Sequence, residues 1–161
     1  MPVIRLETRI EAHIELCFDL SGDIELHVRS TQSTREIAIG GVTKGLINLG
    51  EEVTWEATHF GMRQRLTSKI TAFDRPNHFR DSQVQGAFRR FDHDHYFETI
   101  IPDRTTLMRD VFDYDSPLGY LGKLADTLFL ESYMRSFLSS AISDHERCRD
   151  NSWIGIHTPT A

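Results

Sequence analysis

The stretch that decides the fold is RRFDHDHYFE at residues 89–98, because its side chains alternate in character with a period of two. One set of alternate positions holds Phe91, His93, His95 and Phe97. The other set holds Asp92, Asp94, Tyr96 and Glu98. Successive side chains of a strand point to opposite faces of its sheet, so the pattern predicts a half-buried strand. The face with two phenylalanines is expected to point inward and the face with three acids to be solvated, which turns both histidines toward the core.

The same alternation extends in both directions from this strand. Residues 2–10 predict a first strand, and residues 53–115 predict one strand after another, separated by turns, among them FDRPNHF and PDRT. The Gly-rich stretch 39–52 is interpreted as a strand with turns around it. Together with this stretch, residues 53–115 are predicted to form a run of about six antiparallel strands. Between residues 14 and 30 the apolar spacing predicts two short helices, the second capped by Ser21 or Asp23.

The segment that begins at Ser116 has a different period. From Leu121 to Ile142 apolar residues recur at intervals of three and four, which predicts one long amphipathic helix with Ser116 as its cap. The predicted fold class is α+β. The long helix is expected to lie across the sheet and to leave a cleft between them.

Length and composition indicate one soluble domain. We assign residues 1–150 to that domain and 151–161 to a flexible tail, in a chain of 161 residues with 39% hydrophobic and 26% charged residues. The net charge of −6 argues against a nucleic-acid partner. No apolar run approaches the roughly 20 residues of a membrane span. Cys17 and Cys148 are expected to be free thiols in a cytoplasmic protein.

Polar side chains recur on the predicted inner face, where packing does not require them. The most notable are His59, Asp81, Gln83, His93, His95 and Asp110. A carboxylate that faces a core is unfavourable unless it is paired, and His–Asp pairs would satisfy both partners. Aromatic and apolar side chains on the same face would wall a pocket: Trp55, Phe79, Phe91, Phe97, Met108, Phe112 and Tyr114.

Three interpretations of this cluster remain open. It can be a buried hydrogen-bond network with a structural role only. It can bind a metal through the His-x-His pair, with His59 and a carboxylate completing the site. It can do acid–base chemistry on a carbonyl compound, with His93, His95 and Asp110 as the catalytic candidates. Nucleophilic Ser-His-Asp catalysis is disfavoured because no GxSxG motif or comparable elbow is present.

Three blocks of the sequence, Phe73–Asp81, Gly86–Phe97 and Met108–Gly119, carry a resemblance to a known superfamily. With the element order, they resemble the START/Bet v 1-like (SRPBCC, polyketide cyclase/dehydrase and lipid-transport) superfamily, in an uncharacterised bacterial branch. The resemblance spans residues 1 to about 148. It implies a helix-grip fold: a curved antiparallel sheet of about six to seven strands wrapped around a long C-terminal helix, with two short helices after the first strand. It implies no catalytic set.

The leading hypothesis is a binding protein for a hydrophobic or amphipathic small molecule such as a lipid, quinone or polyketide. The alternative is an enzyme of the cyclase or dehydratase kind that uses the same His and Asp side chains. A third reading is an interaction domain whose cavity is incidental. No cofactor or metal is expected, there is no integral membrane association, and the chain is expected to be a monomer or homodimer.

Overall fold

The computed structural model describes residues 3–31, 35–59, 62–86, 88–102 and 104–115. The elements are β1 (Val3–Ile10), α1 (Ile14–Ser21), α2 (Ile24–Ser30), β2 (Ile37–Gly41), β3 (Glu52–His59), β4 (Met62–Asp74), β5 (His78–Gln85), β6 (Arg90–Ile101) and β7 (Thr105–Asp115). The predicted C-terminal helix, the tail and Cys148 lie outside the described residues. The predicted strands and both short helices are confirmed.

The strands form one antiparallel sheet in the order β1-β7-β6-β5-β4-β3-β2. Each strand pairs with its neighbour in sequence except β1, which pairs with β7. Irregularities in register interrupt β2, β4 and the β6–β7 ladder, and such bulges bend strands. The sheet is therefore curved, and β6 lies in its interior with β5 and β7 on either side.

The inner face, defined as the face against which α1 packs, contains the core. Phe18 of α1 lies edge-on to three phenylalanine rings at centroid distances of 5.2, 5.4 and 5.5 Å, those of Phe73, Phe79 and Phe97. Edge-to-face contact of this kind adds to the burial of apolar area. The thiol of Cys17 is free and fully buried beside them, and burial raises its pKa.

Local hydrogen bonds fix where the two helices lie. Asp23 caps α2, as the sequence predicted, by accepting from the backbone N–H groups of Glu25 and Leu26. The hydroxyl of Thr106 on β7 donates to the carbonyl of Ala12 at 2.8 Å and so holds the start of α1 against the sheet. Neither α1 nor α2, the helices of the described ranges, is long and apolar enough to cross a membrane.

Candidate functional site

Three adjacent strands bring two histidines and two aspartates together on the inner face. β6 supplies His93 and His95, and the register places Asp81 of β5 directly across from His93 and Asp110 of β7 directly across from His95. The i, i+2 spacing of the histidines gives them the same face of β6. The predicted inward orientation is confirmed, since His95 stacks on Phe79, which packs against α1. His93 is 9% exposed and Asp110 is 2% exposed. We call these four side chains the His–Asp cluster.

Each imidazole of the cluster lies between both carboxylates. Oδ1 of Asp110 is 2.8 Å from Nδ1 of His95 and 3.4 Å from Nε2 of His93. Oδ1 of Asp81 is 3.3 Å from Nε2 of His95 and 3.6 Å from Nδ1 of His93. The two rings lie 3.9 Å apart at their centroids. Asp81 and Asp110 therefore contact opposite edges of the imidazole pair.

Several polar atoms of the cluster remain without an aligned hydrogen bond. Within the described ranges these are Nε2 of His93, Nδ1 of His95 and both carboxylate oxygens of Asp110. The 2.8 Å contact between His95 and Asp110 is thus short but out of line with the ring N–H direction. The contact of His95 Nε2 with Asp81 is an aligned hydrogen bond. The cluster has hydrogen-bonding capacity that its own members do not use.

The electrostatics of the cluster favour charged carboxylates and a charged His95. Burial would lower the pKa of His95, but the flanking carboxylates of Asp110 and Asp81 raise it to about 9. Burial would raise the pKa of Asp81 and of Asp110, but the two histidines hold both values below the usual range. At neutral pH the cluster therefore contains two carboxylates and at least one imidazolium.

Aromatic rings of the predicted pocket wall enclose the cluster on the same face. The ring of Phe79 stacks on His95 at 4.2 Å, and Phe112 meets His93 edge-on at 5.3 Å. Phe91 contacts Phe112 at 5.0 Å. All three phenylalanines are buried. The arrangement is a charged group set into an apolar aromatic surface.

Three other predicted site residues have partners outside the cluster. Trp55 lies on β3 and stacks on His27, while Phe97 packs against Phe18 of α1. Met108 contacts Ser21 of α1. These three residues belong to the same packed core as Phe79, Phe91 and Phe112.

Gln83 and Tyr114 both contact Phe88. The Gln83 amide donates to the carbonyl of Phe88 at 2.8 Å, and the ring of Tyr114, which is fully buried, meets Phe88 edge-on at 5.5 Å. The side chain of His59 lies outside the described part of the chain.

One expectation for the outer face is wrong. Asp94 was expected to be solvated with the other acids of β6, but it is 7% exposed. Arg80 donates two hydrogen bonds to it at 2.8 and 2.9 Å, and Nε2 of His78 lies 2.7 Å from it. The alternation of His78 and Arg80 along β5 is the sequence signal for this arrangement, because Arg80 lies directly across the ladder from Asp94 and His78 reaches it diagonally.

Comparison with known proteins identifies the fold. No protein-family model and no curated protein matches the chain. Among solved structures, a protein of Arthrobacter aurescens is similar with a TM-score of 0.71 and 14% identity, covering 98% of this chain and 93% of that one. A START superfamily protein of Mycobacterium smegmatis has a TM-score of 0.70 and 12% identity, covering 90% and 97%.

A plant protein extends the likeness to the Bet v 1-like group. The ginseng major latex-like protein 151 of Panax ginseng has a TM-score of 0.59 and 15% identity, covering 89% of this chain and 97% of its own. Identities this low establish the fold alone. The chain has a START/Bet v 1-like fold, as the sequence motifs predicted.

Proposed function

We propose that the protein binds a hydrophobic or amphipathic small molecule against the inner face, with the His–Asp cluster at the polar end of the ligand. The apolar part of a lipid, quinone or polyketide would contact the aromatic wall formed by Phe79, Phe91 and Phe112. A hydroxyl, carbonyl or carboxylate of the same molecule would hydrogen-bond to the cluster. We place the protein in the cytoplasm as a monomer or homodimer.

One observation carries this proposal: the unused hydrogen-bonding capacity of a nearly buried cluster. A purely structural polar network is expected to satisfy its own members, because an unpaired buried polar atom costs about 1–3 kcal/mol. Within the described ranges, Asp110 has neither oxygen in an aligned hydrogen bond. A polar ligand group reaching the cluster would supply the missing partners.

Native mass spectrometry of the purified protein tests the proposal. We expect a mass excess of a few hundred daltons that disappears on denaturation, and its fragmentation would give the ligand class. The double variant H93A/H95A should retain less of this ligand, whereas His78→Ala on the outer face should retain it fully. If no ligand co-purifies and none of a panel of fatty acids, sterols, quinones and aromatic polyketides raises the melting temperature, the binding function is wrong.

A second candidate function is a cyclase or dehydratase that uses the cluster for proton transfer. It is favoured by the position of the His95 imidazole, which lies between two carboxylates and so is held in one orientation. In this case His93→Ala or His95→Ala abolishes turnover of the identified ligand while binding is largely retained. The measurement is the loss of one water from the ligand by mass spectrometry, and turnover that survives both changes excludes the enzyme.

A further inference from the structure

One ring nitrogen of each histidine in the His–Asp cluster approaches the same carboxylate oxygen. Nε2 of His95 and Nδ1 of His93 approach the same oxygen of Asp81, at 3.3 and 3.6 Å. All three atoms lie within 4.8 Å of one another. Around a tetrahedral zinc ion with bonds of about 2.0–2.2 Å, the ligand atoms lie about 3.3–3.6 Å apart. Both nitrogen–oxygen separations have the length that a shared metal ion would impose.

Asp110 lies beside the ring nitrogens that would not bind the metal, where a carboxylate commonly supports metal-binding histidines. A histidine that binds a metal through one ring nitrogen commonly donates its other N–H to a carboxylate, which fixes the tautomer. The two ring nitrogens that face away from Asp81, Nε2 of His93 and Nδ1 of His95, both approach Oδ1 of Asp110. Neither contact is aligned with the ring N–H direction, so each imidazole would turn slightly to donate a proton to Asp110. Lone pairs on Nδ1 of His93 and Nε2 of His95 would then be directed toward Asp81.

The charge of the cluster also suits a divalent cation. With neutral imidazoles the two carboxylates carry a formal charge of −2 in a place that is nearly closed to solvent, since Asp110 is 2% exposed. An isolated buried charge of this size is strongly unfavourable. One divalent ion brings the formal charge to zero, and protons on the two imidazoles do the same. Metal and protons are therefore expected to compete for the cluster.

We infer that Asp81, His93 and His95 form a binding site for one divalent transition-metal ion, with Asp110 as the positioning residue. The His-x-His spacing alone is unspecific, and the convergence of both rings on Asp81 with Asp110 on their other side is what supports a metal site here. Two imidazoles and one carboxylate suit zinc or iron(II), and three protein ligands leave a position for water or a ligand oxygen. The site does not depend on the ligand proposed above, because its four residues are sufficient to hold the ion.

Calorimetric titration of chelator-treated full-length protein with zinc chloride is the first test. We expect one zinc ion per chain. Asp81→Asn, His93→Gln and His95→Gln should each weaken zinc binding about a hundredfold or more, and Asp110→Asn about 10–100-fold. His78→Gln is the matched control, because His78 also lies beside an aspartate but on the outer face, and it should leave the affinity unchanged. Zinc affinity that is the same in all five variants, or no zinc binding by the unmodified protein, overturns the inference.

A second test needs no substitution and so is independent of whether the variants fold. Nitrogen-15 spectra of the imidazoles distinguish a metal-bound ring nitrogen from a protonated one. Zinc should shift the resonance of Nδ1 in His93 and of Nε2 in His95, because these are the two ring nitrogens that face Asp81. The two histidines are therefore expected to bind zinc through different ring nitrogens. A shift of the same nitrogen in both rings, or of neither ring, contradicts the site.

Discussion

At the scale of single residues, two aspartates on the same strand have opposite environments. Asp110 and Asp113 both belong to β7, but Asp110 faces the inner side and Asp113 faces the outer side beside Arg90. The side chain of Asp113 is 34% exposed and that of Asp110 is 2% exposed. Replacing each aspartate by asparagine therefore measures how much burial increases the contribution of a charge contact to the free energy of unfolding.

Asp110→Asn should lower the free energy of unfolding by about 2 kcal/mol, because it removes one of the two carboxylates that flank a buried imidazolium and leaves only Asp81. Asp113→Asn should lower it by less than about 1 kcal/mol, since exposed ion pairs contribute little. Urea denaturation in the presence of a chelator measures both. Equal effects would mean that the cluster is more accessible to water than its exposed fraction indicates.

Residue type and alternation predicted the four members of the cluster within a larger set that also held His59 and Gln83, but not the geometry of the cluster. The period of two along β6 placed both histidines on the inner face, and the same rule placed Asp81 and Asp110 there. The sequence does not give the register of three strands, and the register decides that Asp81 lies opposite His93. The burial of Asp94 was missed for the same reason, since it depends on Arg80 lying directly across the ladder.

At the scale of elements, the β2–β3 connection contains three glycines with positive φ, two of which have nearly the same backbone angle. Gly41 has φ of 70° and Gly45 has φ of 71°. A side chain at Gly41 would collide with the carbonyl oxygen of Glu52 on the paired strand, whereas nothing lies within 4 Å of the corresponding position at Gly45. The alternation that predicted the strands gives no information on such positions, because it describes side chains and not the backbone.

Gly45→Ala should lower the free energy of unfolding by about 1–2 kcal/mol, the usual cost of a left-handed conformation for a residue with a side chain. Gly41→Ala should lower it by at least twice as much, because the collision with Glu52 adds to the same backbone cost. Thermal or urea unfolding of both variants measures the difference. If the two variants are equally stable, β2 moves away from β3 without penalty.

At the scale of the whole molecule, stability should follow the order of strands in the sheet. β6 has hydrogen-bonded neighbours on both sides, and the β6–β7 ladder is the longest, extending from Arg90 to Ile101. β2 is an edge strand of five residues, and the side chains of Ile37 and Ile39 on it are exposed. Segments that open without breaking many contacts do so at low free energy.

Hydrogen–deuterium exchange should therefore be slowest in β6 and β7 and at least tenfold faster in β2. Mass spectrometry of peptides from the exchanged protein measures these rates strand by strand. Comparable protection of β2 and β6 would show that the sheet opens only as a unit, or that another molecule covers the β2 edge.

The pairing of β1 with β7 has a consequence for biosynthesis. Val3 pairs with Asp113 and Ile10 with Thr106, so β1 leaves the ribosome before the other six strands of the described sheet, while its partner β7 is the last of them. The nascent chain can build the meander from β2 to β6 step by step, but β1 has no place in the sheet until β7 is translated. Such distant pairings form slowly because a long loop must close first. Asp110 also belongs to β7, so the His–Asp cluster is complete only after the last strand of the described sheet has been translated.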